Sequence, residues 1–306
     1  MGIKKVALLG ADGNLGPAVL TALLAHDFSV TILKRQSSQS PDHYPPHTTI
    51  SRIPDNLDVE ETAEVLRGQD ALVITIKGSQ TDVQKRLADA CIPAGVQRLI
   101  PADFGSCDSS SPLTQALVPL YKHKTEFREY LQGLASKHPA FSWTSIVPGH
   151  FFDWDLSFIH VFPEERRMDF LDAGGKRFSI STLAQVGEAT ARALERPAET
   201  KNQVLFVQSF CVNQREILAA FEKASGEKWR VETYESGRWR DEYKAKADAG
   251  DAAAVEECVY YLGTVDADWT TRDGFAMEKL GMEDEDLDQV VAKVLESQQL
   301  RTSSPR

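Results

Sequence analysis

Through the first hundred residues, short apolar runs alternate with amphipathic stretches, the pattern of successive β-α-β units feeding a parallel sheet. The runs Val6–Leu9, Ser29–Leu33, Thr49–Ile53, Ala71–Ile76 and Arg98–Ile100 predict buried strands. Helices are expected between them at Leu15–Ala25, Val59–Arg67 and Gln80–Ala94. A further helix at Leu120–Ser136 precedes a sixth strand at Ser142–Val147. The fold class is therefore α/β, a doubly wound parallel sheet. Gln36–His47, rich in Ser, Pro and His, breaks the alternation and reads as an exposed loop.

Beyond Pro148 the spacing changes. Strand-like pieces at Met168–Leu171 and Phe178–Ile180 precede a helix at Leu183–Leu194, a strand at Val204–Val207 and a helix at Asn213–Ser225. From Glu235 to Gln299 the chain is expected to be mostly helical and acidic, interrupted at Gly263 and Gly274, with an irregular tail from Thr302 to Arg306. The expected organisation is one domain over 1–150, to which 183–210 returns, and a smaller α/β subdomain from 151–182 and 211–306.

The chain has 306 residues and a formal net charge of −11, which weighs against a nucleic-acid partner, since phosphate backbones are held by clustered Lys and Arg. Cys91, Cys107, Cys211 and Cys258 form no C-x-x-C pair, so neither a disulfide framework nor a metal site is expected, and a reducing compartment fits. Val6–Leu9 is too short for the apolar core of a signal peptide. No run nears the roughly 20 apolar residues that span a bilayer. The expectation is a cytoplasmic protein without a membrane partner. Oligomeric state is not legible.

Val6–Leu9 leads straight into Gly10-Ala11-Asp12-Gly13-Asn14-Leu15-Gly16, and a helix follows at once. Glycines in such a turn let the backbone approach a pyrophosphate, which helix-terminal N–H groups then hold. The spacing is G-x-x-G-x-x-G, and its place between strand and helix is the context that a dinucleotide site requires; a plain structural turn is the competing reading. Gly10, Asp12, Gly13, Asn14, Leu15 and Gly16 are thus candidate cofactor residues, and the sheet an NAD(P)-binding Rossmann fold. Asp12 sets a carboxylate where phosphates should sit, and either caps the helix or weakens the site. At the end of the second strand an acid would bind the ribose of NAD, whereas an Arg accommodates the extra phosphate of NADP. Lys34 and Arg35 stand there with no acid before Asp42, so Arg35 points to NADP(H).

Taken together, Gly10–Gly16, Arg35, the segment Arg98-Leu99-Ile100-Pro101-Ala102-Asp103-Phe104-Gly105 and Lys124 resemble the NmrA-like, isoflavone-reductase-like family of atypical short-chain dehydrogenases. That family includes isoflavone, pinoresinol-lariciresinol and phenylcoumaran benzylic ether reductases, and also non-catalytic redox-sensing regulators. The resemblance runs from Lys4 to about Val231. Its most specific part is Leu99–Gly105, similar to the family's Phe-hydrophobic-Pro-Ser-Glu-Phe-Gly with Leu99 for Phe, Ala102 for Ser and Asp103 for Glu. Lys124, 19 positions after Gly105, matches the family's catalytic lysine, and Lys124 to Arg128 its Lys-x-x-x-Arg pattern. Pro148-Gly149-His150-Phe151-Phe152 is similar to the family's Gly-x-Phe, and Asn213 to the Asn opening a late helix. Asp12 departs from the usual Thr.

The resemblance implies NADPH as cofactor, with Ile76, Lys77, Asp103, Phe104, Lys124 and Pro148 joining the cofactor set. It gives Lys124 the role of general acid/base, a role that partial desolvation suits by lowering a lysine's pKa; without it, a lone helical lysine reads as a solvated surface residue. Tyr121 shares a helix face with Lys124 at i, i+3, but this is not the Tyr-x-x-x-Lys of ordinary short-chain dehydrogenases. It is expected to pack or to line the substrate pocket. His150, Phe151, Phe152 and Trp154 follow the sixth strand and are candidates for that pocket, against a reading as subdomain core. The expected function is an NADPH-dependent reductase acting on an aromatic or polyketide-like small molecule. The alternatives are an NADP(H)-sensing regulator without catalysis, and a lyase or isomerase on the same fold.

Overall fold

Val6 and Leu8 project to one side of β1 (Lys5–Leu9), Ala7 and Leu9 to the other, and all four are buried in two different cores. A strand apolar on both sides needs helices on both faces of its sheet. In the computed structural model, which describes residues 2–303 and side chains as far as residue 298, that is the arrangement found. The chain runs through α1 (Gly16–Ala25), β2 (Ser29–Arg35), β3 (Thr49–Ile53), α2 (Val59–Leu66), β4 (Ala71–Ile74), α3 (Thr81–Ala94) and β5 (Arg98–Ile100). It continues through α4 (Pro112–Leu117), α5 (Pro119–Lys137), β6 (Ser142–Val147), β7 (His150–Phe151), β8 (Val161–Phe162), β9 (Arg167–Leu171) and β10 (Phe178–Ser181). Then come α6 (Leu183–Glu195), α7 (Pro197–Thr200), β11 (Gln203–Phe206), β12 (Phe210–Val212) and α8 (Gln214–Ser225). The last part is β13 (Arg230–Tyr234), α9 (Ser236–Asp248), α10 (Ala252–Val265), α11 (Met277–Leu280) and α12 (Leu287–Ser303).

The main sheet is seven-stranded and parallel in the order β11-β6-β5-β4-β1-β2-β3. Its seventh strand, β11, pairs with β6, and α6 packs on α1 through Gly187, where a Cβ would lie 2.5 Å from the Ala18 carbonyl oxygen. Residues of α1 and α6 build one core; α2, α3 and α5 cover the other face. Two three-stranded sheets, β12-β10-β7 and β13-β9-β8, enclose a third core with α8 and α12.

Several expectations need correction. The fourth strand ends at Ile74 rather than Ile76: Thr75 makes the last ladder bond, its N–H donating to the Leu9 carbonyl at 2.8 Å and its Oγ1 to the same oxygen at 3.1 Å. Gly263 does not interrupt a helix. It lies inside α10 as a notch for the His150 ring, whose Nε2 would be 2.0 Å from a Cβ there. Gly274, with φ of +90°, does mark a break. The strand β13 carries exposed residues and so lacked the apolar signature of a strand. Thr302 and Ser303, expected in an irregular tail, close α12, while the rest of that tail, 304–306, lies outside the described residues.

His160 ties β9 to α10. Its ring is buried with Nδ1 3.0 Å from Asp169 and Nε2 3.0 Å from Glu257. Burial alone would lower its pKa, but the two carboxylates outweigh burial and raise it above the usual 6.5. A histidine raised on folding stabilises fully below its unfolded pKa, and that stability is lost as pH climbs through the folded value. Stability against urea should therefore fall from about pH 6.5 upward, by at most roughly 1.4 kcal/mol per pH unit for one proton. His160→Gln should flatten this slope; His26, raised likewise by Glu195 and Glu188, leaves a residue of it. An unchanged slope in the variant would remove His160 from the account.

Candidate functional site

Strand order reverses between β1 and β4, and in a doubly wound sheet the crevice beyond the carboxyl ends at such a point receives the ligand. A cavity of about 550 Å³ opens there. Gly10, Gly13, Asn14 and Leu15 form one wall and the turn Thr75-Ile76-Lys77-Gly78 the second. Ala102, Phe104, Lys124 and Phe151 close the end.

The glycine turn is built for close approach. Gly10 has φ of +96°, and a Cβ on it would meet Thr75 Oγ1 at 2.8 Å. Gly13 N–H donates to the Gly10 carbonyl at 3.0 Å, and Gly16 packs beneath the same carbonyl. Leu15, the N-cap of α1, offers no side-chain cap, and the first turn holds no acid. The helix N–H groups at this wall are thus free of side-chain acceptors and suit an anion. A dinucleotide pyrophosphate fits this cradle: backbone donors, a positive dipole end and no Cβ in the way.

Asp12 neither caps the helix nor lines the cavity. Its carboxylate accepts from Ser40 Oγ at 2.6 Å and Tyr44 Oη at 2.7 Å, with Lys34 Nζ 3.7 Å away. Burial works against its charge, but these partners prevail and hold it below the usual carboxylate range. The 36–47 loop, expected to be merely exposed, is thereby strapped to the glycine turn. Lys34 and Arg35 part company: Lys34 is buried, donating to the Ser40 and Pro41 carbonyls and to Asp42, whereas Arg35 is exposed at the strand end. Arg35 lies outside the cavity wall as described.

Lys124 rises from the first turns of α5 into the cavity, its side chain only 11% exposed. Nζ donates to the Asp103 carbonyl oxygen at 3.3 Å and sits 3.7 Å from Asp103 Oδ1. Gly78 makes room for it, since a Cβ there would be 3.1 Å from Lys124 Cε. Burial pulls the ammonium's pKa down; Asp103 partly restores it and Arg128 lowers it further. Asp103 itself is not on the cavity wall: its carboxylate is turned to Arg128, whose Nε donates to Oδ2 at 2.5 Å. Tyr121 is buried beside Lys124, with Nζ 5.2 Å from its ring centroid, and burial pushes its hydroxyl pKa well up. It packs rather than lines.

Of the aromatic candidates, Phe151 alone reaches the wall. His150 is fully buried against Gly263 and Tyr260, and burial drops its pKa to about 4. Phe152 is fully buried between Phe210 and Phe221. Trp154 is exposed on the outside of Phe151. Pro148 is buried, its carbonyl accepting from Ser181 Oγ at 2.7 Å. Gln80, also on the wall, was missed, and Arg128 was read only as the end of the Lys-x-x-x-Arg pattern, although its i, i+4 spacing from Lys124 was the signal for a role beside it. Among the described residues no group of three or more His, Cys, Asp or Glu is placed to hold a metal, and no helix is long and apolar enough to cross a membrane.

Comparison with known proteins agrees with this architecture. The oxidoreductase aprR of Aspergillus flavus is 31% identical over 296 residues, covering 95% of this chain and 98% of that protein. The structure of AtPrR2 with NADP+ and (+)-pinoresinol superposes with a TM-score of 0.75 at 17% identity, covering 96% of this chain and 99% of the other. The binary complex of Vitis vinifera leucoanthocyanidin reductase with NADPH superposes with a TM-score of 0.74 at 17% identity, over 95% and 99%. At these identities the two structures speak for the fold. The profile of the NmrA-like family matches residues 3–241, and with that match the chain belongs to the NmrA-like family.

Proposed function

We propose that this chain is an NADPH-dependent reductase that delivers a hydride to an aromatic or polyketide-like small molecule, with Lys124 as general acid/base. The observation that carries the reading is the placement of a desolvated lysine amine in the same cavity as an uncapped glycine turn. Gly10, Gly13, Asn14 and Leu15 would hold the pyrophosphate, and Arg35 the additional phosphate of the adenosine ribose. Ile76, Lys77 and Phe104 would flank the rest. The bound cofactor supplies a hydride. Lys124 accepts the proton of a phenol, or gives one to a developing alkoxide, at Nζ, a role that burial favours by lowering its pKa. Phe104 and Phe151 offer apolar faces to a planar ring and keep water off the reacting end. The subdomain formed by 151–182 and 211–306 would frame the substrate.

Support for the oxidoreductase class comes from the oxidoreductase aprR, 98% of whose length this chain matches. A cofactor sensor without catalysis is the competing reading. Purified protein should oxidise NADPH steadily with at least one member of a panel of phenols, quinones and enones, and more slowly with NADH. Tight NADPH binding without oxidation across the panel would favour the sensor and end the reductase reading.

A further inference from the structure

Lys124 and Arg128 stand one turn apart on α5 and both address Asp103, which follows β5. The Asp103 side chain is 5% exposed and the Arg128 side chain 9%. Oδ2 is taken by Arg128, while among the described residues Oδ1 has no hydrogen-bond partner, and neither has Arg128 Nη2. A buried carboxylate oxygen without a donor is unusual. Lys124 Nζ lies 3.7 Å from it, beyond hydrogen-bond reach, and donates to the Asp103 backbone carbonyl instead. Among the described residues Asp103 is the one carboxylate within 4 Å of this amine. The other groups facing Lys124 are uncharged or cationic. The Cys107 thiol is pushed up to about 12 by burial, the Tyr121 hydroxyl is pushed up as well, and Lys77 stands on the opposite wall.

We propose that Asp103, anchored by Arg128, is the positioning residue for Lys124: its free Oδ1 draws the ammonium down, and the neutral amine is left to turn into the cavity. This rests on the reading of Lys124 as acid/base. Arg128 is needed because one carboxylate facing one lysine would hold it as a permanent contact pair, whereas shared between two cations it binds each less firmly. The proton account is simple. Lys124 as amine, turned into the cavity, takes one proton from a phenol oxygen, becomes the ammonium that Oδ1 draws back, and releases that proton to water; Asp103 stays ionised and Arg128 charged throughout.

Opposite signs at the two positions are the signature. In protein carrying 13Cε-labelled lysine, the Lys124 resonance, identified by its loss in Lys124→Arg, is titrated by NMR without cofactor or substrate. Asp103→Asn should lower the Lys124 pKa by about one unit, and Arg128→Gln should raise it by about half a unit. Arg128→Lys, which keeps the charge, should stay near the wild-type value. Shifts of the same sign at 103 and 128, or no shift in either folded variant, would overturn the proposal. Should Asp103→Asn fail to fold, the contrast between Gln and Lys at 128 decides alone. The titration needs no turnover, so a failure here is separate from a failure of the reductase reading, which activity of Lys124→Ala would reveal.

Discussion

Lys124→Ala is expected to lower turnover by roughly 10²–10⁴-fold, the usual contribution of a positioned acid or base, while NADPH affinity changes by no more than about threefold. The split follows from where the side chain sits. Its amine packs against Gly78 and donates to the Asp103 carbonyl, whereas the pyrophosphate is assigned to the turn from Gly10 to Leu15. Alanine is the best helix former, and Arg128 still pairs with Asp103, so α5 and its contacts survive. Lys124→Arg separates proton transfer from charge. Arginine keeps the positive charge beside Asp103 but does not give up a proton near neutral pH, so it should be as slow as alanine. Rapid turnover in the arginine variant would mean that Lys124 acts as a fixed charge. Full turnover in the alanine variant, on every substrate the wild type reduces, would remove the residue from the chemistry.

What the sequence disclosed followed the strength of local pattern. Strands buried on both faces and helices with one apolar side were legible to within a residue or two, since period and burial are written in the same residues. The glycine wall was legible too, because positive φ and close approach demand glycine whatever surrounds it. The aromatic pocket was not. His150 and Phe152 occupy the positions that sequence order suggests for a pocket, yet the small sheets fold them inward, where Gly263 and Phe221 receive them. No local pattern announces that, because the notch in α10 lies more than a hundred residues away. The strap from Asp12 to Ser40 and Tyr44 was hidden likewise: a polar loop gives no sign of what it will dock against. Asp103 is the subtlest case, next to the wall residues Ala102 and Phe104 but with its carboxylate turned to a partner one helical turn beyond Lys124.

The largest structural effect is expected at Gly16. A Cβ there would lie 2.1 Å from the Gly10 carbonyl oxygen, 2.6 Å from Ala11 Cα and 2.7 Å from Ala11 C, all backbone atoms of the turn itself. None can move aside as a flexible side chain does. Gly10 is held in turn by Thr75 at 2.8 Å from its own missing Cβ, and its carbonyl accepts from Gly13. Gly16→Ala must therefore push the turn off its geometry, costing about 1–3 kcal/mol of stability or more and at least tenfold in NADPH affinity. Two companions separate cause from effect. Gly187→Ala drives a Cβ to 2.5 Å from the Ala18 carbonyl, between α1 and α6, so it should destabilise comparably while NADPH binding by the folded fraction is largely kept. Gly13→Ala meets nothing nearer than the Gly10 carbonyl at 3.3 Å, yet Gly13 lines the cavity, so it should weaken NADPH with little loss of stability. Thermal melts and fluorescence titration of NADPH on the three variants read both quantities. If Gly16→Ala melts and binds like the wild type, the packed glycine turn is not what shapes the site; if Gly13→Ala binds normally, the pyrophosphate does not lie along this wall.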